Sequence, residues 1–306
     1  MPRFVHNPVL LAEVVSALRP KAGGRYADGT LGGAGHAVAI LRASSPSGWL
    51  CGCDRDGAAL EAARERLAEF AGRFEIRLGS FAELAEWVAE ESCDGVVLDL
   101  GVSSPQLGDP QRGFSFLQDG PLDMRMDTRQ PLTAAELVNT SSADDLAKLF
   151  WQLGGERQAR YFARAIEGAR PIRTTRQLAE VIERLAPRAG RRTHPATKVF
   201  QALRLAVNDE LGSLKRGLTA AWTILKPGGR LAVITFHSLE DRIVKEFGRE
   251  LARDYTFEGM VDVPELRLPC EPRARWANRK AIVPGEAELA ANPRSRSAQL
   301  RVLEKI

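Results

Sequence analysis

The chain is short of several things, and each shortage removes a class of protein. Its 306 residues hold four cysteines, Cys51, Cys53, Cys93 and Cys270, too few and too unevenly spaced for a disulfide framework. No apolar run approaches the roughly 18 to 20 residues that cross a bilayer. Met1-Pro2-Arg3-Phe4 opens without the apolar core of a secretory signal. A cytoplasmic protein with no membrane partner is therefore expected. The four histidines, His6, His36, His194 and His237, are dispersed without zinc-ligand spacing, so no metal centre is expected. No internal repeat is present. The formal charge is only +4, which as a whole-chain figure does not describe a strongly basic nucleic-acid binder. An apolar fraction of 44% is too high for wholesale disorder. A soluble α/β or α protein remains, of one large or two ordinary domains.

What is present alternates. Leu10, Leu11, Val14, Val15 and Leu18 have helical spacing, and a short strand precedes Asp28. A glycine-rich turn leads to a helix over 36–42. Trp49-Leu50-Cys51-Gly52-Cys53-Asp54 reads as a buried strand, and Leu60, Ala63, Leu67 and Phe70 share one helical face. Phe74-Glu75-Ile76-Arg77-Leu78 alternates as a strand. Ser80-Phe81-Ala82-Glu83 has capping-box spacing, and Gly95-Val96-Val97-Leu98-Asp99-Leu100 is another apolar strand. This succession predicts βαβ units on a parallel sheet. Residues 101–132 break the pattern with glycine, proline and serine. Residues 133–187 read as all helix, with capping boxes at Thr133-Ala134-Ala135-Glu136 and Thr174-Thr175-Arg176-Gln177. One long helix is expected over 196–225, stopped by Lys226-Pro227-Gly228-Gly229. A strand over 230–236, a helix over 238–253, an irregular excursion over 254–297 and a last strand over 299–304 complete the reading.

Three acids end three strands: Asp28, Asp54 and Asp99. Asp28-Gly29-Thr30-Leu31-Gly32-Gly33-Ala34-Gly35-His36 lies between strand and helix, where glycines let backbone approach a ligand. The dinucleotide pattern G-x-G-x-x-G does not fit, because Val38 stands at the last glycine. An acid followed by this loop suits S-adenosyl-L-methionine, whose sulfonium is favoured by carboxylates. Asp54 is placed to accept ribose hydroxyls, and Asp56 or Asp54 to cap the next helix. Phe81 is placed to lie against adenine or to fill the core. Asp99-Leu100-Gly101-Val102-Ser103-Ser104-Pro105-Gln106 follows the fourth strand, where an amino-group methylase orients its target; Ser104-Pro105-Gln106 is a partial echo of such a motif. Pro269-Cys270 would suit attack on a cytosine ring carbon, but it lies in the late irregular segment. Cys51 and Cys53 read as core. Trp151, Trp222 and Trp276 read as core, although Trp276, among Arg273, Arg275, Arg279 and Lys280, suits base stacking as well as packing.

Together these residues resemble a family. His6-Asn7-Pro8-Val9-Leu10-Leu11, the glycine loop and the Asp99–Leu107 stretch are similar to its signatures. So are Arg112-Gly113-Phe114-Ser115-Phe116 and Gly120-Pro121-Leu122-Asp123-Met124-Arg125-Met126-Asp127. Further matches are His194-Pro195-Ala196-Thr197, Phe200-Gln201-Ala202-Leu203-Arg204, Phe236-His237-Ser238-Leu239-Glu240-Asp241-Arg242 and Asn292-Pro293-Arg294-Ser295-Arg296-Ser297-Ala298. The chain resembles, over nearly its whole length, the RsmH (MraW) family of bacterial 16S ribosomal RNA cytosine-N4 methyltransferases. The resemblance implies an α/β, Rossmann-like S-adenosylmethionine-dependent methyltransferase domain with an inserted all-helical domain. The expected boundaries are 1–108 and 196–306 for the first and 109–195 for the second. The implied substrate is a decoding-centre cytidine of 16S rRNA in the small ribosomal subunit, with no DNA; a homo-oligomer is compatible with the sequence. The family's donor contacts fall on Ala34, Gly35, His36, Asp54, Phe81, Asp99 and Gln106, and Asp28 and Gly33 complete the candidate donor set. Asp99, Ser104 and the carbonyls beside Pro105 are the alternatives for orienting the amine. Two positions depart from the family: Ala34 stands where many members have Gly, and Gly108 where Asp is frequent.

The modest net charge hides a division. Residues 156–192 carry net +6 and residues 267–306 net +5, so the remainder carries −7. Basic charge gathered in the insert and the tail can neutralise phosphates. Arg157, Arg160 and Arg164 in the insert, and Arg275 and Arg279 in the tail, are the candidate RNA contacts. A noncatalytic RNA binder would not need the strand-end acids, and a nicotinamide oxidoreductase or small-molecule methylase would not need the basic insert.

Overall fold

The expected alternation is present in the computed structural model, which describes residues 8–186, 193–257 and 262–306. His6 and Asn7 of the opening motif, the expected helix end at Pro187, and Arg188, Arg191 and Arg192 lie outside the described residues. Helix α1 (Leu11–Leu18) precedes β1 (Arg25–Asp28), α2 (Gly35–Ala43), β2 (Trp49–Asp54), α3 (Gly57–Leu67), β3 (Phe74–Leu78), α4 (Leu84–Trp87) and β4 (Cys93–Asp99). Asp56, not Asp54, caps α3 by accepting from Ala58 N at 3.0 Å. Ser80 and Glu83 form the expected reciprocal capping box, on a 3-10 turn, Phe81–Glu83. Leu50, Cys51 and Cys53 of β2 and Val96, Val97 and Leu98 of β4 are buried, as their unbroken apolar runs require.

Two compact units make up the chain: Met1–Gly101 with Gly212–Ile306, and Val102–Leu211. The second contains α5 (Ser104–Gly108), α6 (Ala134–Thr140), α7 (Ala143–Gly154), α8 (Ala159–Gly168), α9 (Thr175–Leu185) and α10 (Thr197–Val207). It begins before residue 109 and ends after residue 195, because its apolar core takes in Leu107 and, from α10, Val199, Phe200, Ala202 and Leu203. Thr133 accepts from Glu136 N at 3.1 Å to start α6, and the reciprocal box at Thr174 and Gln177 starts α9.

Residues 109–132, which have no periodicity, are held by side chains bonded to backbone. Arg112 donates to the carbonyls of Arg125 and Met126 at 3.0 and 3.1 Å, and Arg125 donates to those of Thr128 and Gln130 at 3.0 and 2.7 Å. Gly113 has φ +71°, and a Cβ there would meet Pro121 O at 2.3 Å. His194 bonds Glu183 Oε1 at 2.7 Å through Nε2 and accepts from Ala196 N at 3.1 Å through Nδ1.

The single helix expected over 196–225 is two. It breaks where Asp209 adopts φ +45° and where the Asn208 amide takes Met126 N at 2.7 Å and donates to Met124 O at 2.8 Å. The second piece is α11 (Glu210–Ile224), which leads into the sheet unit. There follow β5 (Leu225–Thr235), α12 (Ser238–Leu251), β6 (Tyr255–Phe257), β7 (Arg267–Pro269), β8 (Ala274–Trp276), α13 (Glu286–Ala291) and β9 (Gln299–Lys305). The excursion expected to be irregular therefore contributes a strand, β8, to the main sheet. The sheet order is β3-β2-β1-β4-β5-β9-β8. Strands β3 to β5 run parallel, and β9 lies antiparallel between β5 and β8. Leu10, Val14, Ile40, Leu41, Leu50 and Ile234 are among its core residues. The chain winds outward from β1 to β3 and then returns to β4 and β5. The carboxyl ends of β1 and β4 thus flank a topological switch point, where open α/β sheets bind ligands.

Candidate active site

Asp28 and Asp99 end the two strands at that switch point, and Asp54 ends the neighbouring β2. The loop after Asp28 is packed without slack. A Cβ on Gly29 would meet Leu98 Cδ2 at 2.5 Å and Phe81 Cβ at 2.7 Å, and one on Gly35 would meet the Pro8 ring at 2.8 Å. Gly33 is buried, and its carbonyl accepts from Arg66 Nη1 at 2.7 Å. Ala34 is buried with φ 59°, in the left-handed region, and precedes α2. His36 is buried on the first turn of α2. Its Nε2 donates to Val9 O at 3.0 Å, which fixes a proton on that nitrogen, and its Nδ1 faces Asp99 Oδ2 at 3.9 Å.

The carboxylates are poorly compensated. Asp28 Oδ1 accepts from Thr30 N at 3.1 Å, and Thr30 Oγ1 in turn accepts from Asp99 N at 2.6 Å. Among the described residues, the buried atoms Asp28 Oδ2 and Asp99 Oδ1 have no hydrogen-bond partner. Burial, with repulsion from Asp54, pushes the Asp28 carboxyl up to about 7. Burial likewise raises Asp54 to about 6. Burial, then the charges of Asp28, Glu240 and Glu288, hold Asp99 well above the usual carboxylate range. Buried polar atoms are nearly always paired, so two orphaned oxygens at one sheet edge mark a place shaped for an absent donor or cation.

Asp54 takes Gly32 N on Oδ2 at 2.7 Å and Asp56 N on Oδ1 at 2.9 Å. A carboxylate has about four lone-pair positions, so each oxygen keeps room for a hydroxyl donor. Phe81 opens the turn after β3. A Cβ on Gly217 of α11 would lie 2.1 Å from its ring, so the helix backbone backs that ring directly. The Arg55 guanidinium stands 5.8 Å from the ring centroid, tied to Ser80 Oγ at 2.9 Å and to Ser213 Oγ.

Two acids near Asp99 escaped the sequence reading. Glu240 is buried, accepts from Phe236 N at 2.8 Å and forms a reciprocal cap with His237. Glu288 Oε1 accepts from Leu10 N at 2.8 Å. Glu240 was discernible from cap spacing three residues after His237; nothing in the pattern around Glu288 distinguishes it.

Residues 3–306 match the family described as the MraW methylase family. The chain belongs to this family. Ribosomal RNA small subunit methyltransferase H of Geobacter sulfurreducens is 52% identical over 311 residues, 99% of each chain. The protein of that name from Citrifermentans bemidjiense is 52% identical over 314 residues, the whole of both chains. Among solved structures, an rRNA methylase from Streptococcus thermophilus aligns at 12% identity with a TM-score of 0.42, covering 97% of this chain and 92% of that one.

Within the family frame, the remaining candidates divide. Ser104, Pro105 and Gln106 belong to the helical unit. Gln106 is buried and caps α5 with Ser103, its Oε1 accepting from Ser103 N at 2.9 Å. Ser104 and Pro105 are half-buried. Arg157, Arg160 and Arg164 are exposed at and along the start of α8. Arg279 is exposed, whereas the exposed Arg275 pairs with Glu304. Trp276 packs against α12: a Cβ on Gly248 would stand 2.3 Å from its ring. Cys51 and Cys53 are buried, and Cys270 Sγ donates to Arg253 O at 3.7 Å. Among the described residues no cluster of three or more His, Cys, Asp or Glu could hold a metal ion, and no helix is long and apolar enough to cross a membrane.

Proposed function

We propose that this methylase transfers a methyl group from S-adenosyl-L-methionine to the exocyclic N4 amine of a decoding-centre cytidine in 16S rRNA of the small ribosomal subunit, in the cytoplasm. The observation that carries the donor half is the pair of orphaned, buried carboxylate oxygens at the switch point, Asp28 Oδ2 and Asp99 Oδ1. The acceptor half rests on family membership and on the relatives named as small-subunit rRNA methyltransferases.

The residues present fit the donor. Asp54 has acceptor capacity for the ribose hydroxyls, and Phe81, backed by α11, offers a ring to adenine. The backbone from Gly33 to His36 receives the amino-acid end, and Gln106 is carried over as a further contact. When bound, S-adenosylmethionine supplies an electrophilic methyl group on a cationic sulfur. Asp28 and Asp99, at adjacent strand ends, favour positive charge beside them. The cytosine amine is a weak nucleophile because its lone pair is delocalised into the ring. A carboxylate such as Asp99 that accepts its N–H restores density to the nitrogen and holds it in line; Ser104 Oγ and the carbonyls beside Pro105 are the other acceptors. Positioning of this kind supplies most of the acceleration. A base paired or stacked in the subunit has first to be turned out.

The test is transfer of labelled methyl to 30S subunits, naked 16S rRNA and DNA in parallel, followed by nucleoside analysis. Label in N4-methylcytidine is expected from at least one ribosomal substrate and none from DNA. No label in either RNA would sink the reading, and label on a ring carbon would replace it with a cysteine-dependent reaction.

A further inference from the structure

Helices α7 and α8 form a hairpin whose apolar residues turn inward: Leu146 and Phe150 from the first, Phe162, Ala163 and Ile166 from the second. Beside each buried phenylalanine stands an aromatic residue that the core does not use. Trp151 follows Phe150 and is 60% exposed; Tyr161 precedes Phe162 and is 54% exposed. Among the described residues these are the two aromatic side chains in the group of exposed large hydrophobics. Both line the same open pocket of about 800 Å³, with Asp144, Lys148, Arg157 and Arg160. Its size falls in the range of small-molecule sites. Lys148 is engaged by Asp145 at 3.3 Å. Neither Arg157 nor Arg160 has an ion-pair partner among the described residues.

Stable soluble proteins rarely spend two large aromatics on one exposed concavity without a ligand. An aromatic face flanked by unpaired guanidinium groups is complementary to a nucleotide, with a flat base for the ring and an anionic phosphate for the arginine. A base inside a duplex has both faces covered, so a concave aromatic site accepts only an unpaired one. We infer that the pocket between α7 and the start of α8 captures a nucleobase of an unpaired RNA strand, with Trp151 and Tyr161 as the stacking platform and Arg157 and Arg160 on the adjoining phosphates. This rests on the reading that the substrate is RNA. It adds a site that grips the strand by a base, where bare charge would grip any polyanion, folded or not. Asp144 at the rim repels phosphate and accepts from base amino groups, which gives the bound strand a preferred direction.

The experiment is fluorescence anisotropy of the full chain with a labelled single-stranded oligoribonucleotide and with a hairpin duplex of the same composition. Trp151→Ala is expected to weaken single-strand binding roughly 5- to 100-fold and to leave duplex binding unchanged. Trp151→Phe, which keeps an aromatic face, is expected to recover most of the loss. In methyl transfer to 30S subunits, Trp151→Ala should raise KM for the RNA substrate more than it lowers kcat. Unchanged single-strand binding in Trp151→Ala overturns the inference, as does equal loss on single strand and duplex. A change in sedimentation mass with RNA binding intact would assign the face to a second copy of the chain instead. The two readings fail separately. Trp151-dependent strand binding without any methyl transfer removes the proposed activity and keeps the pocket. Methyl transfer with Trp151-independent binding removes the pocket and keeps the activity.

Discussion

The carboxyl edge of the sheet and the outer face of the α7–α8 hairpin are opposites. At the first, Asp28 is buried and Asp99 nearly so, and among the described residues the buried atoms Asp28 Oδ2 and Asp99 Oδ1 have no hydrogen-bond partner. At the second, Arg157, Arg160 and Arg164 stand exposed on a surface that also shows Trp151 and Tyr161. Carboxyl groups that burial and mutual repulsion hold back from ionising suit a small cation-bearing ligand, which restores their charge. Excess positive charge in the open suits a polyanion too large to enclose. The contrast explains why a net charge of +4 says so little: acids and arginines gather in different parts of the chain, and the average erases both.

The comparison can be broken most severely at Asp99. Asp99→Asn is expected to cut methyl transfer at least about 100-fold, the scale of losing one preorganised electrostatic contact. The melting temperature of the empty protein should hold or rise, because a carboxyl crowded by Asp28, Glu240 and Glu288 has gone. Full turnover with unchanged donor binding would remove Asp99 from the site. Next is joint charge reversal of Arg157, Arg160 and Arg164. Binding of ribosomal RNA should weaken and its log–log salt slope should flatten by about 3, while donor binding measured by calorimetry stays put. Parallel loss of both would mean that the fold, and not an interface, had been damaged.

Gly113→Ala probes the separateness of the two units. With φ +71° and a carbonyl 2.3 Å from the new carbon, it should destabilise the helical unit by about 2 to 3 kcal/mol. The measurement is a denaturant melt followed beside donor titration, and lost donor affinity in the folded variant would contradict the separation.

A smaller effect is expected from pH. The carboxyls of Asp28 and Asp54 sit near 7 and 6 in the folded protein, above their ordinary values. As pH rises from 5 to 8 they ionise, and the site becomes more negative. The preference for S-adenosylmethionine over S-adenosylhomocysteine, whose sulfur is neutral, should therefore grow about tenfold, one pKa unit of coupling. Calorimetry at the two pH values checks it, and a constant ratio would detach these acids from the sulfonium. For the empty protein, the folded state keeps protons that the unfolded chain has released above pH 4. The contribution of these groups to stability thus falls as pH rises toward 7. The smallest change is Ala34→Gly. Relief of a left-handed alanine, worth about 1 to 2 kcal/mol, is offset by a lost buried methyl of about 0.8 kcal/mol and by a looser unfolded chain. A melting temperature within about 2 °C of the parent is expected; a fall of several degrees would show that the methyl packs more firmly than its backbone is strained.

Much of the sheet unit was legible because its strands announce themselves. The apolar runs of β2 and β4 follow from burial between strands of a parallel sheet, whereas β3, at the sheet edge, and β9, an antiparallel strand, alternate. The candidate donor-loop residues stand out for the same reason: acids and glycines occupy places where a buried chain would otherwise be apolar. What was missed depends on partners distant in sequence. The break between α10 and α11 is invisible because apolar spacing continues from Val207 through Leu211 to Leu214, while its cause is the Asn208 amide reaching residues 124 and 126. Strand β8 is three residues with an exposed arginine at its centre, a strand only because β9 lies beside it. Glu288 matters through its charge on Asp99, a relation no local pattern encodes. Arg275, a candidate RNA contact, pairs with Glu304, a partner 29 residues on that no local pattern encodes.

Among the described residues, the helical unit draws its core, from Phe114 to Val207, from its own stretch of chain. A segment with a private core can melt as a cooperative block while the rest keeps its amides protected. Hydrogen exchange in such a protein falls into two classes, and a brief opening of the block would leave the sheet standing. Under the proposed function, the unit read as gripping RNA can then be the part that breathes, and the unit whose strand-end acids are read as the donor site need not follow.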